Sequence, residues 1–345
     1  MALVPLSEKW PERPFAIAPA HELRHDRPLG LTRFGQRLVL FRDAEGVARA
    51  AHAACPHRGA DLSLGRVVNG QLACGYHGFQ FDSAGECQLV PCQSADAPIS
   101  KALRLRTLAV HEEHGFLWMT PSGAAWDGAI PWLDTMPERS GQTAYTSTVW
   151  RARLSRSVEA MLDFHHVAFA HRRYLAAYRD IQEYEAHVEG EHVLTRGVAA
   201  HERHPTRRFE GELSVAFPAS VYVGLGGKVH GAVVLCPIDA ERTWIGVRYL
   251  QTYVSLPLIG RLLTELTLWS EMRFIQPDDQ RISESIEPRS SEPHTNHLVA
   301  ADRGTAEWHR LRRRVLQGSA ETTPHEQAHA RQQGPTAQAH AVGAG

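Results

Sequence analysis

The sequence predicts an α+β protein of two domains followed by a tail, and three observations lead there. Short apolar runs separated by turn residues fill the first 120 residues. A helical stretch, a second series of strands and a long amphipathic helix follow. The last residues, from Gln317, carry almost no large apolar side chains. These shifts divide the chain at 8–120, 121–316 and 317–345, and a length of 345 residues agrees with about two domains at roughly 150 residues each.

The elements follow in order. Arg37-Leu-Val-Leu-Phe41 is an apolar strand, and Asp43-Ala-Glu-Gly46 supplies hairpin turn residues. Gln71–Ala73, Gly78–Phe81, the turn Asp82-Ser-Ala-Gly85, Leu103–Val110 and Phe116–Met119 continue a small β domain rich in turns. Beyond it, Val158, Met161, Leu162, His165 and Phe169 recur at helical spacing, which predicts a helix over Ser157–Tyr174. Strands are expected at His192–Leu194, Phe209–Phe217, Val221–Val223, Ala232–Cys236 and Thr243–Tyr253. Leu258–Ile275 reads as a long helix after Pro257, and Ala306–Leu316 as a last one, with Arg310, Arg312, Arg313 and Arg314 on a solvated face. The Ala/Gly/Gln/Thr/His-rich stretch 317–345 cannot offset its ordering entropy and is expected to be disordered.

Composition excludes several classes. Lys plus Arg is 37 and Asp plus Glu 38, a net charge of −1, so no extended phosphate-tracking surface is expected and nucleic acid is not a partner. Hydrophobic residues at 43% permit a sizeable core. No apolar run approaches the ~20 residues that span a bilayer, and Glu8, Lys9, Glu12 and Arg13 among prolines do not make a secretory signal. A cytoplasmic protein with no membrane partner is the expectation. Five scattered cysteines make no disulfide scaffold. Gly224-Leu-Gly-Gly227 lacks the dinucleotide spacing and reads as a bulge or turn, so the chain is not expected to take electrons from NAD(P)H directly.

Twenty-one histidines are many for this length, and two tight groups of them carry the chemistry. The first is Cys55-Pro-His57 with Cys74-Gly-Tyr-His77, on glycine-flanked loops sixteen residues apart. One reading is a structural zinc site of two Cys and two His. The sharper one is a Rieske [2Fe–2S] cluster, with two thiolates on one iron and two imidazoles on the other. Cys87 and Cys92 have no histidine partner and read as ordinary thiols, and Cys236 as a small core residue.

The second group is Asp163-Phe-His-His166-x4-His171. Two imidazoles and one carboxylate with open positions make the facial triad of non-haem Fe(II) oxygenases. His166 and His171 lie five residues apart, about 140° on an ideal helix, so both face one metal only if the helix widens or breaks between them. Asp163 stands about one turn before His166, where its carboxylate can orient that ligand's free N–H. His165 is the competing ligand, and its helical face points it away.

Phe34–Gly46, Cys-Pro-His-Arg-Gly-Ala, Cys-Gly-Tyr-His-Gly-Phe and Val90-Pro91 together resemble a Rieske domain of the ring-hydroxylating oxygenase type, and with Asp163, His166 and His171 the resemblance to the Rieske non-haem iron oxygenases runs from about Trp10 to Gly318. The respiratory Rieske proteins differ by a disulfide between the cluster loops. Ala60 and Tyr76 stand at those places here, and Phe79 replaces a serine that donates to a cluster sulfur. The resemblance implies a helix-grip (START-like) catalytic domain, a curved antiparallel sheet around a long C-terminal helix. It implies a third iron ligand at Asp279, with Asp278 as the adjacent alternative, in Asp279-x4-Glu284-x-x-Glu287. One departure is Ala160, where the family usually has an Asn.

The resemblance further implies a [2Fe–2S] cluster and a mononuclear Fe(II), dioxygen and a small aromatic or natural-product substrate, and hydroxylation, oxidative dealkylation or dihydroxylation. Electrons would come from an NAD(P)H-dependent reductase, with or without a ferredoxin. The single-subunit branch is the most similar, that of aminopyrrolnitrin oxygenase, chlorophyllide oxygenase and aryl-ether demethylases. The alternatives are N-oxidation or oxidative cyclisation at the same centres, or an electron carrier whose second site is inactive. In this family cluster and iron face each other across subunits, which implies a head-to-tail homotrimer and a path through His77, Asp163 and His166.

Overall fold

In the computed structural model, which describes residues 8–94, 96–138, 142–175, 177–291 and 296–321, turn residues cut the N-terminal part into eleven short strands. They are β1 Phe15–Pro19, β2 Leu29–Arg33, β3 Gln36–Arg42, β4 Ala48–His52, β5 Arg66–Val68, β6 Gln71–Ala73, β7 Gln80–Phe81, β8 Cys87–Leu89, β9 Thr107–Leu108, β10 His111–Glu113 and β11 Phe116–Met119. The expected turns are built by aspartate side chains. Asp43 accepts from the Val47 N–H at 2.8 Å, and Asp82 accepts from the Ala84 and Glu86 N–H groups at 2.9 Å each. Three antiparallel sheets result, in orders β2-β3-β4-β9, β5-β6-β7-β8 and β1-β11-β10.

The C-terminal part is one seven-stranded antiparallel sheet. Its strands are β12 Ala144–Trp150, β13 Asp180–Glu189, β14 His192–His201, β15 His204–Ala216, β16 Ser220–Leu225, β17 Val229–Pro237 and β18 Thr243–Gln251, in spatial order β12-β18-β17-β16-β15-β14-β13. After β12 the chain crosses to the far edge through helices α1 Leu154–Leu162, α2 Val167–Ala170 and α3 Arg172–Leu175. It then returns as a meander of hairpins. Gly226 and Gly227 form the β16–β17 turn, so the glycine cluster is a hairpin, as read. Helix α4 Pro257–Ser270 lies against β18 and β12, and continues through a π turn Glu271–Ile275 into α5 Gln276–Ser283. Helix α6 Arg303–Glu321 packs on β13 and β14.

A single apolar core joins the two parts. Phe15, Phe116 and Trp118 bury themselves with Trp132, Ile245 and Leu250, and the turn after β2 donates Phe34 N–H to the Pro237 carbonyl at 2.7 Å and Gly35 N–H to the Ile238 carbonyl at 2.8 Å. A second core lies under the cysteine loops: Val39, Phe41, Leu62, Leu72, Phe79 and Phe81 surround Cys55 and Cys74.

Four expectations need correction. The helix expected over Ser157–Tyr174 is broken at Asp163, whose backbone is extended. Residues 317–321 of the expected tail continue α6, because its apolar stripe is anchored further back by Trp308 and Leu311; residues 322–345 lie outside the described residues. Arg312 is buried rather than solvated, its guanidinium 4.6 Å from the Trp10 ring and donating to the Lys9 carbonyl. The break expected between His166 and His171 lies before the pair instead: Val167–Ala170 is helical, and the chain leaves the helix at Asp163 and again at His171 itself.

Where the helix breaks, Phe164 is driven into the sheet. It stacks on Phe209, and its ring lies over Gly197 of β14 and Gly211 of β15, where a Cβ would meet it at 2.3 and 2.7 Å. Those two glycines let the ring approach the backbone and set the height of the residues on either side of it. Gly197→Val should overpack this contact and destabilise the protein by about 1–3 kcal/mol, read as a lower urea midpoint by circular dichroism, whereas an unchanged midpoint would show that Phe164 does not seat the segment.

Candidate metal centres

The two cysteine loops are built alike. In each, the cysteine carbonyl accepts from a glycine four residues on (Gly59 to Cys55 at 2.8 Å, Gly78 to Cys74 at 2.9 Å), and the cysteine N–H donates to the next carbonyl (Ala60 at 2.9 Å, Phe79 at 2.8 Å). Gly59 and Gly78 close these turns with φ of 75° and 72°, a conformation that disfavours a side chain. The result holds Cys55 and Cys74 inside and carries His57 and His77 outward; their rings are 4.9 Å apart. His57 stacks on Phe79 at 4.6 Å, and Tyr76 lies against His77 at 3.8 Å.

Burial pushes the Cys55 thiol up to about 11, and the Cys74 thiol beside it adds to the rise over the opposing backbone N–H of His57. A cation between the two sulfurs would reverse that balance, since metal-bound thiols are deprotonated. A single tetrahedral zinc would draw all four donor atoms within about 4 Å of one another. Among the described residues the one group of three or more donors so gathered, within 4.8 Å, lies elsewhere. Two inner thiols and two outer imidazoles fit a two-iron cluster with one ligand type on each iron. Cys87 and Cys236 are buried thiols donating to the Leu89 and Pro237 carbonyls, and Cys92 is exposed.

The gathered group is His166, His171 and Asp279. One Asp279 oxygen lies 3.3 Å from His166 Nε2 and 3.2 Å from His171 Nε2. Three backbone irregularities make this possible. Asp163 leaves the helix, and its Oδ1 accepts from the His165 and His166 N–H groups at 2.8 and 3.2 Å, restarting a short helix at His166. The backbone turns off again at His171. The π turn before α5 rotates Asp279 inward, while Asp278 pairs with Arg281 at 3.2 Å.

Burial disfavours the charged forms of both His166 and Asp279. Their mutual hydrogen bond and charge outweigh it, holding the imidazole above and the carboxyl below their usual ranges. His166 Nδ1 donates to the backbone carbonyl of Asp163 at 2.5 Å; the Asp163 carboxylate is farther, at 3.9 Å. The ring is therefore oriented chiefly by the main chain of Asp163, not by the side chain that the sequence suggested. His165 turns away and packs edge-on against Tyr184 at 4.9 Å.

The triad lies between two openings. On one side is a cavity of about 170 Å³ walled by apolar residues of the sheet and helices, among them Trp150, Met161, Leu213, Val233 and Ile245. On the other is a polar recess bordered by Asp163, Arg156, Asn296, His297 and Asp302. Ala160, His166 and Asp279 border both.

Sequence reasoning missed two groups here. Glu271, on the π turn, faces the apolar cavity, and burial and the Asp279 charge push its carboxyl up to about 7 against His171. Glu159 is buried beside the recess in a network with Arg156 at 2.9 Å, His309 at 2.6 Å, Asn296 and Ser291. Neither could be read from a regular helical period: the π turn shifts the first, and three of the four partners of the second, Ser291, Asn296 and His309, come from over 130 residues away.

The Rieske [2Fe–2S] domain family matches residues 13–109. Pea protein TIC 55 is 33% identical over 169 residues, 48% of this chain and 30% of that protein. The oxygenase component of dicamba O-demethylase from Stenotrophomonas maltophilia is 33% identical over 158 residues, 45% of this chain and 46% of that protein. The matched part thus spans less than half the length of these relatives. Among solved structures, dicamba monooxygenase bound to dicamba superposes with a TM-score of 0.71 at 20% identity, covering 90% of this chain and 98% of the other.

The cluster is open to direct test. The anaerobically purified chain should hold about three irons, two with labile sulfide and one without; zinc without sulfide would overturn the assignment. Cys55→Ala should abolish the EPR signal of the reduced cluster and Cys87→Ala should leave it intact. Matched in sequence through its first domain and in fold over nearly its whole length, the chain contains a Rieske [2Fe–2S] domain and shares its fold with dicamba monooxygenase.

Proposed function

We propose that the chain is the oxygenase component of a small-molecule hydroxylating or oxidatively dealkylating system. The observation that carries this is a His166–His171–Asp279 triad open to an apolar cavity, on the same chain as a Rieske domain. Cys55, His57, Cys74 and His77 would hold the cluster, and His166, His171 and Asp279 the iron, in domains spanning 8–120 and 121–316. When bound, the two centres supply single electrons and dioxygen activation respectively.

The remaining work falls to the protein's own residues. The apolar wall takes up a ring or hydrocarbon body and excludes water from the open side of the triad. Asp279 brings a charge that offsets part of the metal's, and the Asp163 main chain fixes the tautomer of His166 by accepting from Nδ1. Demethylase names among the relatives, for dicamba, vanillate and methylxanthine, favour dealkylation over other uses of the same centres. A degenerate electron carrier is disfavoured because all three donors are in place.

Electrons would come from an external NAD(P)H-dependent reductase, with or without a ferredoxin, in the cytoplasm; among the described residues no helix is long and apolar enough to cross a membrane. A head-to-tail homotrimer fits two surface features. Leu64 and Tyr76, 81% and 61% exposed, flank the outward histidines as an apolar docking tip. Asp163 is about one-third exposed at the polar recess, with one oxygen committed to backbone N–H groups and the other available to His77 of the partner subunit.

With a reductase and NADH, the metal-loaded chain should consume dioxygen and release formaldehyde from at least one member of an aryl methyl ether panel. Oxygen uptake indifferent to every substrate would sink the reading. Asp163→Asn should keep both metal centres by metal analysis while slowing substrate-triggered reoxidation of the reduced cluster in stopped flow by roughly 10–100-fold. Normal reoxidation, or an active monomer, would remove Asp163 from the path.

A further inference from the structure

Apart from the three metal-site donors, the cavity wall carries one ionisable acid and no lysine or arginine. That acid is Glu271. Among the described residues its carboxylate has no hydrogen-bond or ion-pair partner, although it projects among Trp150, Tyr249, Met272 and Ile275. A carboxylate held in apolar surroundings without a donor is costly, and natural structures rarely leave one so. The π turn is what puts it there: one residue inserted into the helix turns Glu271 toward the cavity at one end while α5 presents Asp279 to the histidines at the other.

We propose that Glu271 is the specificity-determining residue of the cavity and that the substrate presents to it a hydrogen-bond donor on an otherwise apolar body, a protonated amine best of all. This rests on the oxygenase reading above and names the substrate class for it. A substrate amine would receive from Glu271 the only countercharge in the wall outside the metal site, and would in turn satisfy the carboxylate. A substrate carboxylate would find no cation other than the metal and would meet two like charges, Glu271 and Asp279. Discrimination then has both an attractive and a repulsive element. Glu271 is a positioning residue in this account, because it grips the substrate away from the atom that reacts.

The test uses three probes that share a ring and a methoxy group: 4-methoxybenzylamine, 4-methoxybenzyl alcohol and 4-methoxybenzoate. Each is titrated calorimetrically into the anaerobic, metal-loaded full chain. Wild type should bind the amine at least about tenfold more tightly than the benzoate, with the alcohol between. Glu271→Gln and Glu271→Leu should bring the amine to within about threefold of the alcohol and improve the benzoate, with iron content unchanged in both variants. Three equal affinities, a preference for benzoate, no binding of any probe, or a ranking that survives Glu271→Gln would each overturn the proposal. So would loss of iron from the variants, since Glu271 would then serve the metal instead. Glu271-dependent amine binding without substrate-triggered oxygen uptake would leave this inference standing and remove the oxygenase reading; oxygen uptake with a ranking indifferent to Glu271 would do the reverse.

Discussion

Five residues separate His166 from His171, and on an unbroken helix that spacing turns the second imidazole about 140° from the first. Yet the segment between them stays helical over Val167–Ala170, with the His171 N–H donating to the Val167 carbonyl at 3.2 Å, and the backbone leaves the helix only at His171 itself, with φ −96° and ψ 35°. The break lies before the pair, at Asp163, where one extended residue ends α1 and one carboxylate oxygen caps the short helix that restarts at His166. The same residue's carbonyl then takes the His166 Nδ1–H. Asp163 thus creates the break, closes the exposed N–H groups that the break leaves, and orients the ligand. Phe164 locks the result by burying its ring over the glycines of β14 and β15. The third donor depends on a second irregularity, the π turn that rotates Asp279 toward the histidines. The triad is made by departures from regular structure in two helices that a regular sheet holds in place.

The cluster loops solve a different problem. There the sheet ends in two similar turns, and the glycine at the close of each lets the chain double back tightly enough to keep its cysteine buried. The histidines, two and three residues past their cysteines, are left at the surface. That division leaves the imidazoles on the exposed side with Leu64 and Tyr76, while Phe41, Leu62 and Phe81 pack around the sulfurs on the other.

Much of this was legible in the sequence. The two Cys/His pairs, the Asp43 and Asp82 turns and the strands of the meander carry their signals locally, in residue type and spacing, whereas the break expected between His166 and His171 lies before the pair, at Asp163, and at His171 itself. Asp279 was reached only through resemblance, because its role depends on a contact with residues more than a hundred positions earlier. Strand β13 escaped notice because most of its side chains are polar and exposed, so no apolar alternation marks it. β12, half exposed and ending in Trp150, gave no clear alternation either. The carboxylate role first given to Asp163 was transferred to its carbonyl by the difference between 2.5 and 3.9 Å, which no sequence pattern encodes.

The position of Ala160 ties the two openings together. It borders the apolar cavity and the polar recess at once, and its methyl group leaves room on both sides where the family usually places an amide. Charged residues are sorted around this gap by side. Asp163, Arg156 and Asp302 border the recess, whereas the cavity wall admits only Glu271 beyond the metal donors themselves. A membrane of three residues, Ala160, His166 and Asp279, therefore separates a wet, charged face suited to a docking partner from a dry face suited to an organic substrate. Glu271 is the one charge on the dry side whose placement the metal triad does not require, which is why its cost has to be met by what the cavity binds.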